Sequence, residues 1–409
     1  MRKKLLLLLP FYNIYPPQNG GMQTCFNMIV CMDKYFDVTV LMFQDKLSFN
    51  KVFSDNKYSF NSVKVYTMAE IYKEPKDIFR ILPAKLRDAL RYRWQRKRIM
   101  ESVSSSYLHY MGILPWLLKE KFDFLMIEML SDTLIYDLMK KKSPETKLIY
   151  QNHNVDSDMA HKDFKAGRIP LKSFQKILET EKLLYKNTDC VIAVSDNDAS
   201  RLSELNNGRL NLKVVQTGIS LEKDIATDGI NQDNPKSILF CGSLDYQPNY
   251  EGLLWFYENC WLKVLKQMPE LVLTVIGSGI VDNSLIHLQK DNTVNFAGRV
   301  DSVWRYYNQA AIVIVPLLSG SGIRIKILEA MSMGVPVVST KKGAEGINYS
   351  DKENICIADD PEEFVSIMMN LLRNKEYRIN LSHGGRLVIA ENYDWQVIGK
   401  RIYDILNAM

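Results

Sequence analysis

The segment from Ile312 to Ile347, IVIVPLLSGSGIRIKILEAMSMGVPVVSTKKGAEGI, leaves a chain few ways to fold. Its first four residues are a β-branched apolar run of the kind that fills a strand buried on both faces of a parallel sheet. A Gly-Ser-Gly turn at 320–322 follows, and then a helical pattern from about Ile323 to Met333. Gly334 and Pro336 close that helix in the order expected at a C-terminus, and a second buried strand starts at once. One strand, helix, strand unit results, with a glycine turn at the carboxyl end of its first strand. In open α/β sheets ligands bind at that edge.

The turn has a definite chemical character. Glycines let backbone N–H groups approach an anion, the helix N-terminus carries the positive end of its dipole, and Arg324 and Lys326 add formal charge. A diphosphate suits that place. Glu329 falls three residues after Lys326 on the same helix face, where a carboxylate can accept hydrogen bonds from a ribose diol. The plainer alternative is a solvated Arg/Lys pair beside an ordinary Glu–Lys helix pair.

With 409 residues the chain exceeds the size at which single cores stop growing, so two domains are expected. An apolar fraction of 46% with 24% charged residues is that of a globular protein. The six cysteines (25, 31, 190, 241, 260 and 356) show no CxxC or Cys/His spacing, which indicates reduced thiols, a cytoplasmic setting and no metal site. The opening MRKKLLLLLPFYNIYP has the basic start of a secretory signal, but its apolar run is short, Pro10 interrupts it and no small-residue cleavage site follows. Leu5 to Leu9 is instead expected to be a buried first strand. No apolar window is long enough to span a bilayer.

Taken in order, the chain alternates strand and helix in two rounds, the pattern of two doubly wound units. Residues 1–219 are expected to form the first and 237–385 the second. A polar, acidic linker (220–236) separates them, and 386–409 forms a last helix. In the first unit a loop from Asn13 ends in Gly20-Gly21 and a helix follows from about Met22 to Lys34. The cluster Gln151-Asn152-His153-Asn154-Val155-Asp156 follows a strand end, where a histidine can face a ligand. Asp156 and Asp158 are spaced as chance alone often spaces them, and indicate no metal. Between Lys76 and Arg98 stand nine Lys/Arg against two Asp, a net +7 in a chain of net +5. Leu86, Leu90 and Trp94 recur every four residues there. Two readings stand: a basic amphipathic helix lying on an anionic membrane surface, or one that packs its stripe on its own domain. No recognition motif accompanies the charge to suggest nucleic acid.

In the second unit glycine turns end four strands, at Gly242-Ser243, Gly277 to Gly279, Gly298-Arg299-Val300 and Gly320 to Gly322. A nucleotide can lie along such a rim. Phe240-Cys-Gly242-Ser-Leu-Asp-Tyr246-Gln-Pro248-Asn249 and Gly320-Ser-Gly322-Ile-Arg324-Ile-Lys326-Ile-Leu-Glu329-Ala-Met331 together resemble the donor-domain motifs of family-4 glycosyltransferases of the GT-B fold. His153-Asn154-Val155, the strand at Asp189 to Ser195 and the turn at Gly218 extend the resemblance over nearly the whole chain.

The resemblance implies two Rossmann-like domains facing a cleft, with the sugar nucleotide on the second, the acceptor on the first and the last helix crossing back to the first. Glu329 matches a ribose-binding glutamate, Gly298 to Val300 a loop beside the nucleobase and His153 a histidine near the transferred sugar. Gly20 and Gly21 match a loop over the phosphates and acceptor. Such enzymes transfer sugars with retention and without metal or other cofactor, relying on positioning and electrostatic stabilisation. The chain departs from the pattern twice. Ser321 replaces the first of two glutamates eight positions apart, and the Arg and Lys usual after the first donor-domain strand are absent, with Ser243 and Pro248 or Asn249 in their places. The expected function is transfer of a sugar from a nucleoside diphosphate to a glycan or lipid-linked acceptor in cell-surface polysaccharide synthesis, at the inner face of the membrane if 76–98 touches it. A nucleotide-sugar epimerase of the same architecture and a silent glycan- or membrane-binding relative remain open.

Overall fold

The computed structural model describes residues 2–9, 20–42, 60–67, 71, 114–128, 130, 133–219, 236–279, 285–320 and 322–409. The basic stretch 76–98, Ser321 and all but the last residue of the 220–236 linker lie outside them. The chain divides into two compact units, one of Met1–Gln216 with Gly399–Met409 and one of Thr217–Ile398.

The first unit is built on a seven-stranded parallel sheet. In chain order its strands are β1 (Lys4–Leu9), β2 (Asp37–Met42), β3 (Lys64–Thr67), β4 (Phe124–Ile127), β5 (Lys147–Asn152), β6 (Cys190–Ala193) and β7 (Leu212–Val214). Their spatial order is β3-β2-β1-β4-β5-β6-β7. The leucine run of the N-terminus forms an interior strand, third in this order, paired with β2 on one side and β4 on the other, and is buried on both faces. A continuous apolar run is what such a position requires. The helix after β1 spans Gly20–Met32, so Gly20 and Gly21 are its first two residues and not part of the preceding loop. Without a side chain on either residue, the pattern of apolar residues starts only at Met22, which is why the sequence places the helix start too late. The final helix, Trp395–Asn407, passes from the second unit into the first, where Tyr403 stacks on Tyr35 with ring centroids 4.6 Å apart.

The second unit holds a six-stranded parallel sheet of β8 (Ser237–Cys241), β9 (Val272–Ile276), β10 (Val294–Gly298), β11 (Ile312–Val315), β12 (Val337–Ser339) and β13 (Cys356–Ile357), in the order β10-β9-β8-β11-β12-β13. Strand order reverses between β8 and β11 here, and between β1 and β4 in the first unit. At such a reversal the flanking loops run to opposite faces and leave a crevice beyond the carboxyl ends of the strands. The helix after β8, Gln247–Phe256, runs on through a π-helical turn at Tyr257–Trp261 and a last turn at Leu262–Leu265.

Candidate functional site

The reversal point of the second sheet gathers most of the residues singled out by sequence. Gly242 and Ser243 leave β8; Pro316 to Arg324 leave β11 and lead into the helix Ile325–Ser332. That helix is shorter than its pattern suggests, and Arg324 is its N-cap residue rather than part of its first turn. Gly320 and Gly322 take positive φ values of 103° and 81°, which a residue with a side chain adopts only under strain. Ser321 between them is outside the described residues.

Lys326 reaches from the first turn of this helix to the first turn of the helix Gln247–Phe256 beyond β8. Its Nζ donates to Asn249 Oδ1 at 2.7 Å and lies 5.3 Å from the centre of the Phe240 ring. Asn249 is fixed in turn by donating to the Ser243 carbonyl at 2.8 Å. A methyl group on Gly242 would stand 2.6 Å from the ammonium, so the glycine is what lets the cation approach the backbone at the strand end. Removal from water pulls the Lys326 pKa down to about 8. Arg324, 6% exposed, has its pKa lowered by the same cause, and its Nη1 donates to the Gly322 carbonyl. Two cations are therefore held at one helix N-terminus and withdrawn from water, an arrangement that an anion would relieve.

Glu329 sits one helical turn deeper. It is not paired with Lys326, as an ordinary helix pair would be. Its Oε2 accepts a hydrogen bond from the Tyr307 hydroxyl at 2.8 Å, and burial raises its pKa. Tyr307 is 0% exposed and comes from the helix Trp304–Gln309. Nothing in the sequence marks this tyrosine; only the packing of its helix against the sheet turns it to Glu329.

The neighbouring strand ends complete the rim. Leu244 N–H donates to the Ser278 carbonyl at 2.7 Å, and Gly277 N–H to the Gly298 carbonyl at 2.9 Å, so the loops after β8, β9 and β10 are joined by backbone hydrogen bonds. Gly277, at φ 145°, touches the Gly242 carbonyl so closely that no side chain fits there. Ser243 donates to the Ser278 carbonyl at 3.1 Å. Arg299 is exposed and Val300 half-buried just beyond β10, and Ile323 is half-buried before the helix.

In the first unit His153 stands one residue past β5, half-buried, with Nε2 3.2 Å from Glu128 Oε2. The same oxygen accepts from the Cys25 thiol at 2.6 Å. Sequence reasoning missed Glu128 and Cys25, although Glu128 has the signal that marked His153, a polar residue directly after a buried strand. Asp156 has its pKa raised to about 6, mainly by burial and then by Glu181 nearby, while Asp158 is held by both arms of Arg201 at 2.8 and 2.9 Å. The two aspartates thus serve different partners.

Residues 235–374, which contain the whole glycine-turn rim, match the family model described as Glycosyl transferases group 1. Among curated relatives, an uncharacterized 44.6 kDa protein in the cps region of Klebsiella pneumoniae is 29% identical over 41% of this chain and 45% of its own. The lipopolysaccharide core biosynthesis glycosyltransferase LpsE of Rhizobium meliloti is 24% identical over 52% of this chain and 63% of its own. The chain thus spans about half the length of the curated relatives it matches. Among solved structures, that of HepE from Anabaena in complex with UDP superimposes over the full length of both chains, with a TM-score of 0.69 at 14% identity. The architecture is the GT-B fold.

Proposed function

We propose that this chain is a glycosyltransferase that takes its sugar from a nucleoside diphosphate and transfers it, with retention, to a glycan or lipid-linked acceptor in cell-surface polysaccharide synthesis. The observation that carries this reading is the placement of Lys326 and Arg324 at the N-terminus of Ile325–Ser332, with Glu329 one turn deeper and backed by Tyr307. A diphosphate would bind the two cations and the helix end, and the ribose diol would donate to Glu329. The family match over 235–374 and the descriptions of the capsule-region and lipopolysaccharide relatives support the same reading. UDP in the HepE structure makes uridine diphosphate sugars the first donors to try.

Departure of a nucleoside diphosphate develops negative charge on its terminal phosphate oxygens. Arg324, Lys326 and the helix dipole are held in place before the reaction and stabilise that charge as it forms, so the work is done by electrostatics without a metal ion. His153 would contact the reacting sugar or the acceptor, with Gly20 and Gly21 on the acceptor side. The loop Gly298 to Val300 would lie beside the base.

A thermal-shift screen with UDP, GDP, ADP and their sugar conjugates, with and without a divalent metal, tests the proposal. A ligand at a hundredfold excess over its Kd stabilises the folded state by about 2.7 kcal/mol, so a true donor gives a plain shift. One base should shift the wild type independently of metal, and Lys326→Ala should lose the shift while keeping its circular dichroism spectrum. An absence of any shift with every nucleotide refutes the assignment.

A further inference from the structure

Glu128 follows β4 directly and is 2% exposed. It engages two groups delivered by the strands that flank β4 in the sheet: Cys25 on the helix after β1, and His153 after β5. Both engage one oxygen, Oε2, at 2.6 and 3.2 Å. The other, Oε1, is buried and has no hydrogen-bond partner among the described residues. A buried carboxylate with an idle oxygen destabilises a core, and an apolar residue would fill the place better if packing were all that mattered.

We infer that Glu128 is a positioning residue that holds His153 in the tautomer with its proton on Nε2, so that Nδ1 is offered as a hydrogen-bond acceptor to a substrate hydroxyl. With Glu128 ionised, its carboxylate can only accept, and the hydrogen between it and His153 then belongs to Nε2. In a neutral ring the remaining nitrogen then carries a lone pair. Nδ1 makes no hydrogen bond among the described residues, and 25% of the His153 side chain is exposed, so the lone pair is available to a ligand. The ring in this state takes the hydrogen of a hydroxyl and does not donate to its oxygen. Cys25 restrains the carboxylate through a second hydrogen bond to the same oxygen. It is 0% exposed, and burial keeps it a thiol, so that it donates to Glu128 and does not compete for the His153 proton.

The identity of the hydroxyl, on the transferred sugar or the acceptor, rests on the proposed transfer; the tautomer does not. The test is therefore a histidine measurement on the full chain that needs no substrate. The protein has five histidines, and labelling them with 15N while subtracting the spectrum of His153→Asn isolates the His153 ring. The wild type should show a pyrrole-type Nε2 and a pyridine-type Nδ1. Glu128→Gln, whose amide can donate to Nε2 as well as accept from it, should lose that single signature to a mixture or an inversion, while Cys25→Ser keeps it. A proton on Nδ1 in the wild type overturns the inference, and so does an unchanged His153 signature in a folded Glu128→Gln. The wild-type spectrum decides by itself if Glu128→Gln does not fold. The outcome is independent of whether any nucleotide binds to the second unit.

Discussion

Lys326→Met separates the cost of the site from its use. In the unliganded protein the ammonium is removed from water with Asn249 as its hydrogen-bond partner, and its pKa falls from 10.5 to about 8. At about 1.4 kcal/mol for each tenfold change in proton affinity, that displacement corresponds to roughly 3 kcal/mol by which the charged form is disfavoured in the folded state. Methionine has a similar length and no charge, so it removes this penalty without leaving a large cavity. The lost hydrogen bond to Asn249 offsets about 1 kcal/mol. A net gain of about 2 kcal/mol should raise the melting temperature of the second unit by roughly 4–8 °C at pH 7.

The pH dependence supplies the sign. Between pH 8 and 10.5 the unfolded chain holds a proton on Lys326 that the folded chain has released, so wild-type stability rises with pH across this window. Below about pH 8 the full penalty is present. The advantage of Lys326→Met over the wild type should therefore be greatest near neutrality and shrink as the pH rises from 8 towards 10.5. Nucleotide reverses the order, because the diphosphate stabilises only the protein that keeps its cation. Melting curves of both proteins at pH 7 and pH 9.5, with and without UDP, read all of this. A variant that melts at or below the wild type at pH 7 without ligand refutes the argument that the cation is held at a cost.

Tyr307→Phe removes the donor to Glu329 from a fully buried position and should cost about 1.5–3 kcal/mol in urea unfolding, the range for a hydrogen bond to a charged group. It should also weaken UDP binding more than pyrophosphate binding in calorimetry, and an equal loss for both would detach Glu329 from the ribose. Gly242→Ala places a methyl group 2.6 Å from Lys326 Nζ and 2.7 Å from Asn249 Nδ2, which should weaken UDP about tenfold with the fold retained; unchanged affinity would put the phosphates elsewhere. Asp156, raised to about 6 by burial and Glu181, loses stability as the pH rises from about 4 to 6, because the unfolded chain ionises first. Asp156→Asn should flatten that limb and gain about 2 kcal/mol at pH 7, as measured by unfolding at pH 4 and 7.

The two rounds of strand and helix were legible because parallel strands covered on both faces need continuous apolar runs, and Leu5–Leu9 and Ile312–Val315 are such runs. Gly320, Gly322, Arg324, Lys326 and Glu329 were legible because they occupy one strand, turn, helix unit, so their neighbourhood follows from local spacing. Partners brought from other elements were not. Nothing near Tyr307 in the sequence points to Glu329, 22 positions away, and Cys25 lies 103 positions from the Glu128 it donates to. Local spacing also suggested the wrong partner within the helix. Lys326 and Glu329 are placed for a mutual ion pair, yet each is engaged by a residue from a different helix, Asn249 of Gln247–Phe256 and Tyr307 of Trp304–Gln309.

That exchange of partners accounts for the departure after the first strand of the second unit. The resemblance leads one to expect cations following β8, where Ser243 and Pro248 or Asn249 stand instead. The structure brings a cation to the same point from the other side of the reversal, since Lys326 crosses from the helix after β11 to Asn249, within reach of the Gly242 backbone. An anion responds to the position of a charge and not to the element that supplies it. Asn249 can anchor the ammonium without neutralising it, whereas a carboxylate there would cancel the attraction. A lysine at 249 would face Lys326 across the 2.7 Å that now forms a hydrogen bond, and each ammonium would disfavour the other. The neutral residue at 249 and the lysine at 326 are thus two halves of one solution, which is why reading position 249 alone suggests a missing charge.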